Sequence, residues 1–343
     1  MKGETSMSKI KIGINGMGRI GRTVLRELCA RENASIEIVA VNNPGERSRY
    51  HHLIQFDSVH GRLDKNFKLT QEGFQIGDFP EVIFFTERDP KKIPWDKLGV
   101  QIVIDATGVF KDKESLGQHL GGSVKKVIMC APGKDLDATF VMGINNQDYL
   151  PEEHHIVSNA SCTTNCLAPV CKVLHEKFGI ESGFMTTIHA YTSDQQLLDG
   201  AHSDPRRARS AALSMIPTTT GAAKSVGLVI PELKGKLDGY AVRVPTPNVS
   251  MVDLSATLKV VASADEVNQA MQDAAENELK GILKTEEMPL VSTDYNGLRE
   301  SSCVDLALTN TIGNNLKIVA WYDNEAGFSN RVIDLASMMA EKL

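Results

Sequence analysis

The sequence predicts an α/β chain in two parts: a doubly wound parallel sheet covered by helices, then an α+β region with a largely antiparallel sheet. Three observations carry this. The first half alternates short β-branched runs with helical stretches, the pattern of parallel strands joined by crossover helices. After about residue 160 the strands lengthen and alternate apolar with polar residues, and the helices stand apart from them. At 343 residues, 42% of them apolar, the chain has material for about two domains with ordinary cores.

In order, residues 10–15 read as a buried strand and 20–31 as a helix with Val24, Leu25 and Leu28 on one face. Strands follow at 36–42, 100–105 and 127–130. The second half carries strands at 183–191, 240–243, 250–261, 304–310 and 317–321, and helices at 224–233 and 264–277. A last helix, about 327–343, shows Val332, Ile333, Leu335, Met338 and Met339 as its apolar face. Residues 191–219 form a long polar stretch rich in Arg, Ser, Thr and Pro; so long a loop in a folded domain is a functional segment or an interface. Residues 1–7 read as a polar extension, with Met7 as an alternative start.

The formal charge of −6 offers no general basic surface, so no nucleic-acid or membrane partner is indicated. No run of eighteen apolar residues occurs, and the start of the chain lacks a signal-like apolar segment. The six cysteines are too sparse for a disulfide framework, which fits a reducing compartment and a cytoplasmic protein. Their spacing suits neither a zinc site nor a redox pair, and no metal is expected.

Gly16-Met17-Gly18-Arg19-Ile20-Gly21 is a GxGxxG between a strand and a helix. The first glycine permits the tight turn, the second lets a pyrophosphate approach the backbone, and the third lets helix pack on strand. The phosphates then meet free N–H groups at a helix start. The second strand ends in Asn42-Asn43 instead of the acid that holds an adenosine ribose, and Arg47 and Arg49 follow. An amide lacks the charge that repels a 2′-phosphate, so spacing alone leaves NAD and NADP both open.

Ser158–Cys166 follows an apolar strand and opens a helix. Ser161 is a suitable N-cap, which places Cys162 in the first turn, where N–H groups and the helix dipole favour a thiolate. Cys166 and Cys171 lie deeper and read as packing residues. His189 sits near the end of a strand, by default an ordinary polar residue there; a thiolate at a helix start also needs a base. The residues alone leave both readings of the Cys162–His189 pair open.

SNASCTTNCLAP at 158–169 resembles the catalytic signature of glyceraldehyde-3-phosphate dehydrogenases. INGMGRIGR at 14–22, DSVHGR at 57–62, RRARSAALSMIPTTTGAAKSVG at 206–227, RVPTPNVSMVDL at 243–254 and WYDNEAGFSNRVIDL at 321–335 are similar to further blocks of that family, in order, from about residue 9 to the end. The resemblance implies a Rossmann cofactor domain at 9–159 completed by the C-terminal helix 324–343, a catalytic domain at 160–323, and a homotetramer. It implies NAD, held by Gly16, Gly18, Arg19, Ile20, Gly21, Asn43, Thr107, Cys130 and Asn324. The 191–219 stretch becomes the family's S-shaped loop. Glyceraldehyde 3-phosphate and inorganic phosphate are the implied partners. Thr192 and Arg243 form one phosphate pocket; Ser161, Thr163, Thr220 and Gly221 form the other, with Arg207 near both. Cys162 is the implied nucleophile and His189 the acid–base, oxidising the aldehyde to a thioester that phosphate cleaves.

Two departures from the family pattern bear on the cofactor. Asn43 replaces its usual ribose-binding acid, and Gly200-Ala201 stands where many NAD-specific relatives carry a bulky Leu-Pro pair. Both push toward NADP as a second acceptor. The alternatives are erythrose-4-phosphate dehydrogenase, disfavoured by PTTTGAAKS at 217–225 and HAYTSDQ at 189–195, and a cofactor-free thiol hydrolase, disfavoured by the glycine fingerprint and Asn324.

Overall fold

Short apolar strands alternating with helices build the first of two units in the computed structural model, which describes residues 9–31 and 35–343; the 1–7 extension lies outside the described residues. This unit holds the chain up to Thr139, Tyr149–Asn159 and Val332–Leu343. Its elements are β1 (Ile10–Asn15), α1 (Arg19–Ala30), β2 (Ile36–Asn42), α2 (Arg47–Gln55), β3 (Phe56–Asp57), β4 (Gly61–Arg62), β5 (Phe67–Leu69), β6 (Gly73–Ile76), β7 (Val82–Phe85), β8 (Ile102–Asp105), α3 (Lys113–Gly117), β9 (Lys126–Met129), β10 (Ala138–Thr139) and β11 (Ile156–Ser158). The sheet runs β10-β11-β9-β8-β1-β2-β7-β6-β5.

From β10 to β7 every pairing is parallel, whereas β5, β6 and β7 pair antiparallel and extend one edge. The central strands are apolar on both faces because both are covered: Ile12, Ile14, Val41, Ile102, Val103 and Ile104 are fully buried. Val24, Leu25 and Leu28 form the buried stripe of α1, as the periodicity predicts.

The second unit, Phe140–Asp148 with Ala160–Arg331, contains α4 (Cys162–Phe178), β12 (Ile180–Ala190), β13 (Ile216–Thr219), α5 (Ala222–Val229), β14 (Leu237–Val244), β15 (Ser250–Leu258), α6 (Ala264–Glu276), β16 (Leu283–Glu286), β17 (Ser302–Asp305), β18 (Asn310–Ile312) and β19 (Asn315–Tyr322). Its sheet order is β13-β14-β12-β15-β19-β17-β16, with β18 also on β19. Only β12–β14 and β16–β17 pair parallel. One core joins α4, α5 and α6 to strand residues such as Met185, Leu254 and Ile318, while Phe184 and Tyr240 on β12 and β14 are exposed. The last helix is α7 (Ala326–Ala340).

Two sequence expectations change here. The 224–233 helix stops at Val229, and Pro231–Leu233 forms a separate 3-10 turn. Proline has no N–H and forces the preceding residue out of the helical region. The 304–310 strand is likewise broken. A ladder continued from Val304↔Ala320 would put residue 307 opposite Lys317, but Asn310 stands there. The looped-out residues coil as Leu306–Leu308.

Candidate active site

The glycine loop between β1 and α1 has the geometry its spacing predicts. Gly16 has φ 95°, and a Cβ there would lie 2.7 Å from the Thr107 nitrogen. A Cβ on Gly21 would fall 1.9 Å from the Gly16 carbonyl oxygen, so helix and loop touch only because that side chain is absent. A Cβ on Gly18 would meet nothing within 4 Å, and Gly18 caps α1 with no side-chain hydrogen bond to the first turn. Open space over uncapped N–H groups is the cradle a dinucleotide pyrophosphate needs, and these residues fit that group.

The other predicted cofactor residues in this unit are engaged as follows. The Met17 N–H donates to Asn43 Oδ1 at 2.7 Å, and Asn43 Nδ2 donates to the Pro44 carbonyl at 2.9 Å and to the Tyr50 hydroxyl. Asn43, just past the end of β2, thus braces the glycine loop. Arg19 makes a forked pair with Asp57, Nη1 to Oδ2 at 2.6 Å and Nη2 to Oδ1 at 3.1 Å. Burial would raise the Asp57 carboxyl, but Arg19 and the His60 and Val59 N–H groups outweigh it and hold the pKa at about 2. Ile20 is half-buried beside Arg19. Thr107 donates through N–H and hydroxyl to Asp105 Oδ1, and the Cys130 N–H donates to the Asp105 carbonyl. Burial pushes the Cys130 thiol far up, so it is a packing thiol.

In the second unit Ser161 caps α4, accepting the Thr164 N–H at 3.0 Å, and Cys162 is the first helical residue. Ala160, just before the cap, is held at φ 57°, a left-handed conformation costing about 1–3 kcal/mol in a non-glycine residue. His189 lies at the end of β12, and its Nε2 is 3.6 Å from Cys162 Sγ. Its Nδ1 lies 2.6 Å from the Ala190 carbonyl, which can only accept. Nδ1 therefore carries the proton, and Nε2 presents its lone pair to the thiol.

Burial pushes the Cys162 thiol up, and the Arg243 guanidinium and the Thr163 and Cys162 N–H groups offset this only in part. The sequence expectation of a lowered thiol pKa is corrected accordingly: desolvation outweighs the helix start. Burial and then the Arg243 charge depress His189 to about 3, against the Ala190 bond. Burial thus pushes both the thiol and the imidazole toward their neutral forms.

Arg243 stands opposite His189 in the β12–β14 register. Its Nη1 donates to the Ala190 carbonyl at 3.2 Å and to Thr192 Oγ1 at 3.1 Å, which brings the first predicted anion pair together. Of the second group, Ser161 and Thr163 open α4, and Gly221 caps α5 with Thr220 beside it. The two helix starts are linked by Thr164 Oγ1, 2.7 Å from Ser161 Oγ and donating to the Ala222 carbonyl at 3.4 Å. The Thr163 hydroxyl, in contrast, is 2.8 Å from the Tyr322 hydroxyl and buried. Arg207 bonds Asp194, Thr218 Oγ1 and the Thr219 carbonyl, and among the described residues no hydrogen bond joins it to either predicted anion group.

Comparison with known proteins decides the family. Residues 10–113 match the family model "Glyceraldehyde 3-phosphate dehydrogenase, NAD binding domain", and 161–324 match "Glyceraldehyde 3-phosphate dehydrogenase, C-terminal domain". The chain is 54% identical over 334 residues to the glyceraldehyde-3-phosphate dehydrogenase of Geobacillus stearothermophilus, covering 97% of this chain and 99% of that protein. It is 54% identical to glyceraldehyde-3-phosphate dehydrogenase 1 of Bacillus cereus and 52% identical to glyceraldehyde-3-phosphate dehydrogenase 2 of Trichormus variabilis, with the same coverage. The chain belongs to the glyceraldehyde-3-phosphate dehydrogenase family.

Within this family frame, two residues without a sequence-assigned role surround the thiol site. Tyr322, at the end of β19, bonds both Thr163 and Thr187 at 2.8 Å and sets its ring edge-on to His189 at 6.0 Å. Ser250 donates to Asn324 Oδ1 at 2.8 Å and accepts the Ala190 N–H at 3.1 Å, which fixes the Asn324 amide next to the end of β12. Before it, Val249 is held at φ 66°, strain that a β-branched residue bears only where its surroundings enforce it. A tyrosine ending a strand and a serine starting one give no local signal; the Ser250↔Tyr322 pairing of β15 with β19 brings them together.

Proposed function

We propose that this protein oxidises D-glyceraldehyde 3-phosphate to 1,3-bisphosphoglycerate with NAD and inorganic phosphate. The observation that carries the proposal is Cys162 Sγ at 3.6 Å from an unprotonated His189 Nε2 at the start of α4. The sulfur attacks the aldehyde carbon as the thiol proton passes to Nε2. The carbonyl oxygen becomes an oxyanion within reach of the Cys162 N–H, then takes the proton back from Nε2 as a hemithioacetal hydroxyl. Bound NAD supplies the hydride acceptor. Nε2 removes the hydroxyl proton as the hydride departs, leaving a thioester on Cys162. A phosphate oxygen attacks that carbon, the C–S bond breaks, and the sulfur recovers its proton from His189.

Gly16, Gly18, Arg19, Ile20, Gly21, Asn43, Thr107 and Cys130 are the proposed cofactor residues of the first unit, and Asn324 the proposed partner of the nicotinamide carboxamide. Arg243 with Thr192, and Ser161, Thr163, Thr220 and Gly221 with Arg207, are the proposed phosphate donors, guanidiniums and hydroxyls being suited to phosphate oxygens. NADP is a proposed second acceptor. Asn43 carries no charge to repel a 2′-phosphate, Arg47 Nε is buried without a hydrogen-bond partner, and Gly200 and Ala201 are small and exposed. The proposed assembly is a homotetramer: Leu197, Leu198, Leu213 and Met215 of the 191–219 stretch are 71–82% exposed, a load of apolar surface that association would cover. The six free cysteines among the described residues fit a cytoplasmic site, where the enzyme serves glycolysis and, run in reverse, gluconeogenesis.

The test is reduction of NAD, and separately of NADP, by purified protein with glyceraldehyde 3-phosphate, with and without phosphate. Phosphate-dependent reduction of NAD is expected, with NADP reduced at a lower rate. A preference for erythrose 4-phosphate would move the reading to that neighbouring activity, and an NAD selectivity in the thousands would remove NADP.

A further inference from the structure

We propose that Trp95, His119, Asn15 and Asp105 form a buried polar relay that positions the Thr107 loop against the glycine loop, making His119 a positioning residue for dinucleotide binding. The proposal rests on reading the first unit as the NAD-binding domain.

An indole N–H only donates, and Trp95 Nε1 donates to His119 Nδ1 at 3.3 Å. His119 Nε2 stands 3.4 Å from Asp105 Oδ2 and 3.3 Å from Asn15 Nδ2. Asn15 Nδ2 donates to the same oxygen at 2.8 Å. The other oxygen, Oδ1, takes the Thr107 N–H at 3.1 Å and the Thr107 hydroxyl at 2.7 Å. That hydroxyl in turn accepts the Val109 N–H at 3.1 Å. These contacts end in the backbone of the 107–109 loop.

The relay lies where the loop matters most. Asn15 and Asp105 end β1 and β8, and Asn42, which ends β2, donates to Asn15 Oδ1 at 2.8 Å. The three strands are neighbours around β1, where the sheet grows outward in both directions. In such a sheet ligands bind beyond the carboxyl ends of the strands at this reversal. Asp105, His119, Trp95, Asn15 and Asn42 are all buried, so a displaced partner here is not replaced by bulk water. The Thr107 nitrogen is 2.7 Å from where a Gly16 Cβ would stand, so no slack separates the Thr107 loop from the glycine fingerprint. Trp95 is itself locked: a Cβ on Gly13 of β1 would lie 2.5 Å from its ring. Any shift of the relay passes directly into the cradle.

The experiment measures NAD affinity by calorimetry, the KM values for NAD and glyceraldehyde 3-phosphate, and the rate of Cys162 alkylation, for the parent, His119→Phe, His119→Gln and Trp95→Phe. Removing the bonds to a buried carboxylate in His119→Phe should weaken NAD binding about tenfold or more. The KM for glyceraldehyde 3-phosphate and the alkylation rate should stay within about twofold, since the thiol site is built on other elements. His119→Gln, whose amide both accepts from Trp95 and donates to Asp105, should restore most of the affinity. Trp95→Phe, which removes the indole donor with part of a packed ring but keeps His119 and Asp105, should show a smaller loss and serves if His119→Phe does not fold. Equal loss of thermal stability in both His119 variants with NAD affinity unchanged would overturn the relay and leave a packing role. A parent that binds no NAD would overturn the dinucleotide reading and the relay with it.

Discussion

The two sheets hold their functional groups in different ways. In the first unit the strand ends of β1, β2 and β8 present backbone: three glycines, an uncapped helix start, and a buried polar network beneath them. In the second unit the ends of β12 and β14 and the start of α4 present side chains, His189, Arg243 and Cys162, held by partners far away in sequence. A backbone site tolerates many side chains but not an extra Cβ. A side-chain site tolerates backbone breathing but not the loss of one functional group. This difference can be broken or sharpened by substitution.

The largest effect should follow from Cys162→Ser, which replaces the sulfur with a far weaker nucleophile. Turnover should fall on the order of 10⁴-fold or more while calorimetric NAD binding stays intact; parallel loss of both would mean the two sites are not separable. His189→Gln should lower kcat by about 10²–10⁴-fold, again with NAD affinity kept.

Gly21→Ala attacks the other site. Its Cβ would sit 1.9 Å from the Gly16 oxygen, so the loop must move and NAD affinity should drop. The stability cost should be about 1–3 kcal/mol, read from urea midpoints, with Cys162 alkylation unchanged.

The pH dependence of stability separates the sites more gently. His189 is depressed from 6.5 to about 3, so the unfolded chain binds a proton there that the folded chain refuses. Its neutral form costs nothing above the unfolded pKa, and stability is lost as pH falls from about 6.5 toward about 3. Near pH 4.5, about two units into that window, His189 should account for roughly 2–3 kcal/mol of the acid loss. His189→Gln should therefore lose less stability than the parent between about pH 7 and pH 4.5. An identical loss in both would show that this imidazole is not held neutral. The smallest effect is expected from Tyr322→Phe, which removes a hydroxyl bonded to Thr163 and Thr187: about 1–2 kcal/mol in stability and less than tenfold in kcat.

Legibility in the sequence follows the same division. The strand–glycine loop–helix start was readable almost to the residue, because glycine spacing and a buried apolar strand act locally. The N-cap role of Ser161 was readable for the same reason. Helix α2 was not, since Ile54 is its only buried residue and no apolar stripe marks it. The antiparallel edge β5–β7, with strands of three or four residues, was also passed over. The looped-out turn after β17 was missed because a register step on β19 leaves no local trace.

By itself, then, the sequence determined the α/β class, the family, the glycine-loop geometry and the place of Cys162 at a helix start, all of which rest on contiguous residues obeying local geometry. Tertiary structure decided what is non-local. The β12–β14 pairing set Arg243 beside His189, and the Ala190 carbonyl chose the tautomer of His189. Desolvation reversed the expected shift of the Cys162 thiol, and the pairing of β15 with β19 delivered Ser250 and Tyr322 to the site. Each of these depends on which distant groups share a low-dielectric interior. Burial and register are properties of the packed chain and do not exist until it has folded.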